Sequence, residues 1–391
     1  MSDLGHSGLI EQCIQVLESV LPTERPIGLH EPLIDEQDKA EVNRCMATGW
    51  VSSAGKYVDD FEQALCDYTK SPHAIAMVNG TSALHTCLIL AGVEAGHEIL
   101  APALTFVGTI NPISYCQATP HFVDIDPSTL GIDPDKLELH LQLHAEVQDG
   151  QCINRDTGRV ISTLVVVHVL GIPADMPAIM EVAKRWHLTV IEDAAESLGS
   201  WRNDQHTGTF ADLAALSFNG NKIITTGGGG AVLCKDQETA DKARHLSTTA
   251  KKSHAWAFEH DAVGYNYRLP NINAALGCAQ LKKLPSYLEQ KRQLAEQYTA
   301  VFSRIDEVNF HQPPADVSSN HWLNLITLPD EFARDQLLQK AIIDQGIFLR
   351  PLWDLMHHLP MYESCPKADL SVSQKLWETG VCLPSSPSLA D

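Results

Sequence analysis

The chain has 391 residues and a formal net charge of −21, a length that fits one large α/β domain with a smaller companion. Its 44% hydrophobic and 20% charged residues are typical of a globular protein, and they exclude a disordered, collagen-like or coiled-coil chain. The negative charge, with no run of lysine and arginine longer than two, argues against nucleic acid or an anionic membrane as a partner.

The ten cysteines are spread along the chain, and the nearest two are 17 positions apart. This spacing contains no CxxC pair and no zinc-ribbon pattern, so it predicts buried thiols in a reducing compartment. The N-terminal segment lacks the basic start and the apolar stretch of a signal peptide, and no window is apolar enough to predict a membrane span. We therefore expect a cytoplasmic protein.

Short apolar runs alternate with segments of helical periodicity from residue 74 onwards. This alternation is typical of βαβ units and predicts a mainly parallel mixed sheet flanked by helices. Helices are expected at 81–93, 105–118, 133–144 and 175–187, the last with Asp175 as a possible N-cap. The predicted strands lie at 74–78, 98–104, 121–126, 163–169, 188–193, 214–218 and 227–235.

The rest of the chain has a different character. Polar turn residues at 146–162 interrupt the alternation and predict a surface hairpin, and a long polar helix is expected at 281–305. We expect three parts, namely a segment 1–50 that packs with the small domain, a large domain at 51–279 and a smaller C-terminal α/β domain at 280–391.

Candidate functional residues follow the predicted strands, at the sheet edge where ligands of open α/β sheets bind. Gly80, Thr81 and Ser82 follow the first strand and open a helix, so their backbone amides and hydroxyls can hold a phosphate. The alternative is that a hydroxyl here only caps the helix.

Two acids, Asp193 and Glu196, follow another apolar strand. Asp193 can bind a ribose, a metal or a protonated ring nitrogen, or it can simply cap the next turn. Glu196 either faces the same ligand or is solvated.

A lone lysine, Lys222, lies between Ser217 and the glycine run 227–230. A loop lysine is usually solvated, but the glycines allow the backbone to approach a ligand closely. The run leads into a strand and lacks the GxGxxG register, which argues against a dinucleotide loop. Phe106, at the start of a helix, is either a core residue or a ring that stacks on a planar cofactor.

Together these stretches resemble the DegT-type nucleotide-sugar aminotransferases, which are pyridoxal-phosphate (PLP) enzymes of the aspartate-aminotransferase fold. The resemblance runs through nearly the whole chain, and the ordered set is far more specific than any one motif. It comprises GWVSS at 49–53 with Gly55, Phe61-Glu62, NGTSAL at 79–84, APALTF at 101–106, FVDID at 122–126, IEDAAES at 191–197, SFNGNK at 217–222, TTGGGG at 225–230 and GYNYR at 264–268.

The resemblance implies a role for each matching residue. Lys222 matches the lysine that binds PLP covalently, and Asp193 matches the acid that keeps the pyridine nitrogen protonated so that the ring accepts electrons. Glu196 matches a position near the ring phenolic oxygen that is often glutamine in the family. The other implied cofactor contacts are Gly80, Thr81 and Ser217 at the phosphate, Phe106 stacked on the ring, and Asn266 delivered to the phosphate from the neighbouring subunit.

The family also suggests a substrate. Lys222 stands where the family's dehydratase branch has histidine, which implies transamination. The hairpin insertion and the stretch 348–361 resemble the branch that aminates carbon four of a UDP-linked 4-keto-6-deoxy-N-acetylhexosamine for bacillosamine- and legionaminic-acid-type surface glycans. The resemblance further implies glutamate as donor and a homodimer with composite active sites.

Three residues are candidates to contact the substrate. Trp50 and Ser52 are expected to line the sugar pocket, with a hydrophobic plug as the alternative for the tryptophan. Arg350 is a candidate cation for the diphosphate, and a structural ion pair is its alternative.

Other functions stay open. The chain can act on a 3-keto or dTDP-linked sugar, or be a PLP relative with different chemistry, or, from another class, be a nicotinamide dehydrogenase. No metal is expected, because His97-Glu98 is followed by Ala101 where a zinc protease has its second histidine.

Overall fold

The computed structural model describes residues 6–390, and a large mixed sheet lies at its centre. The strands of this sheet are in the order β1-β11-β10-β7-β6-β2-β3, with β4 and β5 added beside β6. In chain order they are β1 (His73–Met77), β2 (Glu98–Pro102), β3 (Thr119–Val123), β4 (Ala145–Gln148), β5 (Gln151–Asn154), β6 (Val160–Val167), β7 (Thr189–Asp193), β10 (Leu213–Ser217) and β11 (Gly230–Cys234).

Helices cover this sheet and continue into the C-terminal part. The α-helices are α1 (Ser7–Val20), α2 (Glu36–Thr48), α3 (Lys56–Thr69), α4 (Gly80–Leu90), α5 (Val107–Tyr115), α6 (Pro134–His144), α7 (Met176–Arg185), α8 (Gln237–Ser247), α9 (Asn271–Phe302), α10 (Glu331–Gln339) and α11 (Ser371–Thr379). Short 3₁₀ turns lie at Val169–Gly171, Met356–His358 and Pro387–Leu389, and a π-helical turn at Lys340–Asp344. None of these helices combines the length and the apolarity that a membrane span needs.

The sheet is mainly parallel, as the sequence predicts. β2, β3, β6, β7 and β10 pair in parallel, whereas β11 runs antiparallel to both of its neighbours, β1 and β10. The carboxyl ends of β1, β2, β6, β7 and β10 therefore meet at one edge of the sheet. The loops that carry the candidate residues leave from this edge.

Two local predictions are confirmed. The segment 146–162 contains the hairpin of β4 and β5, whose turn residues Asp149 and Gly150 have positive φ values of 50° and 80°, as a tight two-residue hairpin turn requires. Asp175 caps α7, because its side chain accepts a hydrogen bond from the Ala178 amide at 3.3 Å.

The C-terminal part forms one smaller sheet and contributes one strand to another, whose other two strands lie at 201–206. An antiparallel sheet has the order β12-β14-β16-β15, and a second one has the order β13-β8-β9. Their strands are β8 (Trp201–Arg202), β9 (Gln205–His206), β12 (Asn309–Phe310), β13 (Val317–Ser318), β14 (Asn324–Thr327), β15 (Arg350–Pro351) and β16 (Gly380–Leu383).

The helix α9 contributes to two of the hydrophobic clusters of the chain. Its first half, with Ala274 and Leu281, belongs to a cluster around Phe218 of the large sheet, and its second half packs with Leu17 of α1 and Val381 of β16. It passes the expected boundary at residue 280 without a break. The division into 1–50, 51–279 and 280–391 stays a prediction, and we propose that α9 is shared between the two larger parts.

The packing of α1 gives a test of how the N-terminal segment is held. Leu17 is fully buried against C-terminal residues, so Leu17→Ala should lower the free energy of unfolding by about 2–5 kcal/mol in urea denaturation. Leu139→Ala is the matched control, because Leu139 is 57% exposed. Equal effects of the two substitutions would contradict this placement of α1.

Candidate functional site

A cavity of about 310 Å³ lies at the carboxyl edge of the large sheet. Its charged lining residues are Asp193, Glu196, Lys222 and Arg350, and the remaining walls are polar, small or aromatic. Eight residues predicted from the sequence line it together: Gly80, Thr81, Phe106, Asp193, Glu196, Ser217, Lys222 and Arg350.

The N-terminus of α4 forms one wall of the cavity. Asn79 caps this helix by accepting a hydrogen bond from the Ser82 amide at 2.7 Å, so the cap is neither Thr81 nor Ser82. The amides of Gly80 and Thr81, at the first positions of the helix, have no intrahelical acceptor. Together with the helix dipole they form a site that suits a phosphate group.

Glycine is required at position 80 because the backbone passes close to β10. A Cβ atom built on Gly80 lies 2.8 Å from the Cβ of Ser217, and real atoms do not approach that closely. The contact brings the Ser217 side chain to the same wall as the helix terminus.

Asp193 ends β7 and is held at both carboxylate oxygens. Thr109 Oγ1 donates to Oδ2 at 2.8 Å, and the Ala195 amide donates to Oδ1 at 3.1 Å. Burial raises the pKa of Asp193, while these two hydrogen bonds and the charge of Lys222 act in the opposite direction. The buried Asp193 carboxylate thus has hydrogen-bond donors at both oxygens, and these stabilise its ionised form.

Lys222 and Glu196 form an ion pair inside the cavity. Lys222 Nζ lies 3.3 Å from Glu196 Oε1, and the Leu170 amide donates to Oε2 at 2.9 Å. Leu170 adopts a left-handed conformation with φ 56°, which is strained for a branched side chain. Burial raises the pKa of Glu196, and the charge of Lys222 opposes that effect.

Two tryptophans from the C-terminal part, which the sequence analysis missed, complete the wall. Lys222 Nζ lies 4.0 Å from the ring centroid of Trp322, which stacks at 6.4 Å on Trp353. The guanidinium carbon of Arg350 lies 5.0 Å from the Trp353 ring, in the range of a cation–π contact. Trp353 lies in the stretch 348–361 that carries the family resemblance, but no local pattern there or around Trp322 predicts a contact with Lys222, because long-range folding brings them together.

The interpretation of Phe106 as a core residue is wrong. Phe106 precedes α5 and lines the cavity, and 52% of it is exposed. An exposed aromatic face at a cavity is the geometry expected of a ring that stacks on a planar ligand.

Three predicted residues lie elsewhere within this chain. Asn266 is exposed and forms a β-bridge with Thr248 outside the cavity. Trp50 and Ser52 are exposed as well, and the Trp50 carbonyl accepts a hydrogen bond from Asn271 Nδ2 at 2.6 Å. Within residues 6–390 none of the three lines the cavity, and their contacts with cofactor or substrate stay predictions.

Comparison with known proteins decides the family. Residues 32–391 match the DegT/DnrJ/EryC1/StrS aminotransferase family. The chain belongs to this family. This aminotransferase is thus a PLP-dependent enzyme of nucleotide-sugar metabolism with the aspartate-aminotransferase fold.

Individual relatives match this chain over most of their length. GDP-perosamine synthase of Escherichia coli O157:H7 is 34% identical over 365 residues, which cover 93% of this chain and 94% of the relative. EpsN of Bacillus subtilis, a putative pyridoxal phosphate-dependent aminotransferase, is 32% identical and covers 94% and 92% of the two chains. The aminotransferase TlmJ from Streptoalloteichus hindustanus superposes with a TM-score of 0.84 at 27% identity, over 94% of this chain and 95% of TlmJ.

The cavity of this aminotransferase fits the family cofactor. It contains an amine at Lys222, a buried acid at Asp193, a helix terminus suited to a phosphate and an exposed aromatic ring at Phe106. These are the four kinds of contact that a phosphorylated, planar and electron-accepting aldehyde requires.

The close approach at Gly80 gives a test of the phosphate site. Gly80→Ala should weaken PLP binding about tenfold or more, because the added Cβ displaces the helix terminus and a hydrogen bond to a charged group contributes about 1.5–3 kcal/mol. The measurement is a PLP titration of the cofactor-free protein followed by absorbance. Gly8→Ala is the control, since no atom lies within 4 Å of a Cβ built there. Unchanged PLP affinity in Gly80→Ala would place the phosphate elsewhere.

Proposed function

We propose that this enzyme transfers an amino group from glutamate to carbon four of a nucleotide-linked 4-keto-6-deoxy sugar. The observation that carries the proposal is the position of Lys222, whose amine lies in one cavity with the Asp193 and Glu196 carboxylates and the terminus of α4. A lysine placed there can both bind an aldehyde cofactor and move a proton.

Each residue has a distinct task in this reaction. Bound PLP supplies an electron sink that makes a proton on the neighbouring carbon acidic. Lys222 moves that proton between the carbon of the cofactor and the carbon of the substrate, and Glu196 beside it stabilises the ammonium that forms. Asp193 holds a proton on the ring nitrogen, while the α4 amides and Ser217 bind the phosphate.

The identity of the sugar nucleotide has two candidates. The sequence resemblance favours UDP-4-keto-6-deoxy-N-acetylglucosamine. Three relatives that are 33–34% identical are GDP-perosamine synthases, which favours a GDP-linked sugar as the second candidate. Both candidates bring a diphosphate, and Arg350 is the cation besides Lys222 that lines the cavity within residues 6–390.

The substrate is tested by direct competition. Purified enzyme with glutamate is offered the two 4-keto sugars, each made in situ by a 4,6-dehydratase from UDP-N-acetylglucosamine or GDP-mannose. We expect release of 2-oxoglutarate and a product amine at carbon four, identified by mass spectrometry and NMR, with the UDP-linked sugar reacting faster.

Faster reaction of the GDP-linked sugar would support the second candidate. Amination only of a 3-keto sugar would overturn the proposal for carbon four, and amination only of a dTDP-linked 4-keto sugar would overturn both nucleotide candidates. Failure to release 2-oxoglutarate from glutamate would overturn transamination itself. Lys222→Ala is the control for each assay, and it should fold normally but not turn over.

We further propose that the active enzyme is a homodimer with composite sites. Asn266 is exposed and lies just after a segment whose large apolar side chains Trp256, Phe258 and Val263 are 80–84% exposed. Such a patch is typical of a surface that another chain covers. We propose that a second copy of this chain covers the patch, as the family resemblance implies. In such a dimer Asn266 would reach the cofactor phosphate in the partner's cavity.

Mixed dimers test this arrangement. Lys222→Ala and Asn266→Asp chains carrying different tags are co-expressed, and the hybrid is purified on both tags. If Asn266 serves the partner's cavity, one site of the hybrid has both wild-type residues and activity returns. If each chain completes its own site, both sites of the hybrid carry a defect and activity stays at the level of the single variants. A fully active monomer in light scattering would also contradict the proposal.

A further inference from the structure

We infer that Thr109 is a positioning residue that keeps Asp193 ionised and aligned, and that Thr105 fixes the direction of the hydrogen bond that Thr109 donates. The inference rests on the proposed role of Asp193 at the cofactor ring nitrogen. It adds two residues to the machinery for which the sequence motifs gave no role.

The geometry is a short hydroxyl chain in the protein interior. Thr105 Oγ1 lies 2.8 Å from Thr109 Oγ1, which in turn lies 2.8 Å from Asp193 Oδ2. Thr105 and Thr109 are 1% and 3% exposed. Bulk solvent therefore cannot replace either hydrogen bond if a hydroxyl is removed.

A count of protons sets the direction of the chain. An ionised carboxylate only accepts hydrogen bonds, so the single proton of the Thr109 hydroxyl is committed to Asp193. The contact between the two threonines is then made with the proton of Thr105. The chain runs from Thr105 to Thr109 to Asp193, and it stabilises the charged form of the acid.

The same turn also places the ring that faces the cofactor. The Thr109 amide donates to the Phe106 carbonyl at 2.9 Å in the first turn of α5. One helix start therefore presents Phe106 to the cavity and the Thr109 hydroxyl to Asp193 in the cavity wall. Movement of this turn would change the ring contact and the acid together.

Other groups near Asp193 do not duplicate this hydrogen bond. Lys222 acts on Asp193 through its charge, and Glu196 and the Cys87 thiol interact with Asp193 only electrostatically. Both ring nitrogens of His168 are already used, Nδ1 by the Ala174 amide and Nε2 by Glu192. The Ala195 amide holds the other carboxylate oxygen. Thr109 is therefore the side chain that donates to Asp193.

The test compares Thr109→Val, which removes the hydroxyl at nearly constant shape, with Thr109→Ser, which keeps it. The purified holoenzymes are titrated with acid and base, and the visible absorbance of the bound cofactor is followed. A positive charge on the ring nitrogen disfavours protonation of the cofactor at its link to Lys222. If Asp193 holds the ring-nitrogen proton less firmly, protonation at the link to Lys222 becomes easier. The midpoint of the absorbance change then moves to higher pH.

We expect Thr109→Val to raise this midpoint by about one to two pH units, the size expected for one hydrogen bond to a charged group. Thr109→Ser should restore the wild-type value, and Thr105→Val should shift it less in the same direction. Loss of PLP from folded Thr109→Val with retention in Thr109→Ser would also support the inference. If Thr109→Val does not fold, the test rests on Thr105→Val. A higher midpoint in that variant supports the inference, and an unchanged midpoint overturns it.

An unchanged midpoint in Thr109→Val and Thr105→Val would overturn the inference, as would equal shifts in Thr109→Val and Thr109→Ser. Asp193→Asn distinguishes a failure of the role of the threonines from a failure of the proposed role of Asp193. If it raises the midpoint while both valine variants do not, only the role of the threonines fails. If it too leaves the spectrum unchanged, the proposed role of Asp193 fails.

Discussion

The site depends on one costly feature, a carboxylate placed in the interior of the protein at the end of β7. Transfer of an ion from water into an apolar interior is unfavourable unless charges and hydrogen bonds compensate. Around Asp193 the compensation comes from the Thr109 hydroxyl, the Ala195 amide and the charge of Lys222. Thr109 belongs to the first turn of α5, Ala195 to the turn that follows β7, and Lys222 to the loop after β10. The needs of one acid therefore link three segments at the carboxyl edge of the sheet.

The glycine run at 227–230 allows two backbone segments to pack closely. β11 returns antiparallel between β1 and β10, and a Cβ built on Gly230 lies 2.5 Å from the carbonyl carbon of Asn79. Only glycine allows this strand to pass so close to the residue that caps α4. The glycines thus bring together the lysine loop before β11 and the phosphate wall after β1, which explains why they lead into a strand and lack the dinucleotide register.

Those parts of the site that follow directly from a short motif after a strand could be predicted from the sequence. Asp193, Lys222 and Gly80 follow apolar strands, and because parallel strands end at the same edge, their convergence could be predicted. Trp322 and Trp353 could not, since they belong to the C-terminal part and reach Lys222 by packing in one hydrophobic cluster with residues near the carboxyl edge of the large sheet, such as Val167 and Leu170. Thr109 lies four residues after Thr105, but its role depends on a hydrogen bond to a residue 84 positions away. Trp50, Ser52 and Asn266 lie outside the cavity within residues 6–390, and only the composite site that we propose for a dimer would give them their predicted roles.

The charge of the cavity differs from that of the whole chain. The chain carries a net charge of −21, whereas the charged residues that line the cavity within residues 6–390 are two acids and two bases. Beyond about 8–10 Å the surface field is screened at physiological salt, so an anionic substrate that reaches the cavity meets a balanced local set. In the function that we propose, Asp193 pairs with the ring nitrogen and Glu196 with Lys222, which leaves the Arg350 charge to face the anions of the two substrates. In that proposal glutamate and the nucleotide diphosphate occupy the cavity at different times, so the same arginine on the tryptophan wall can face each of them in its own half of the reaction.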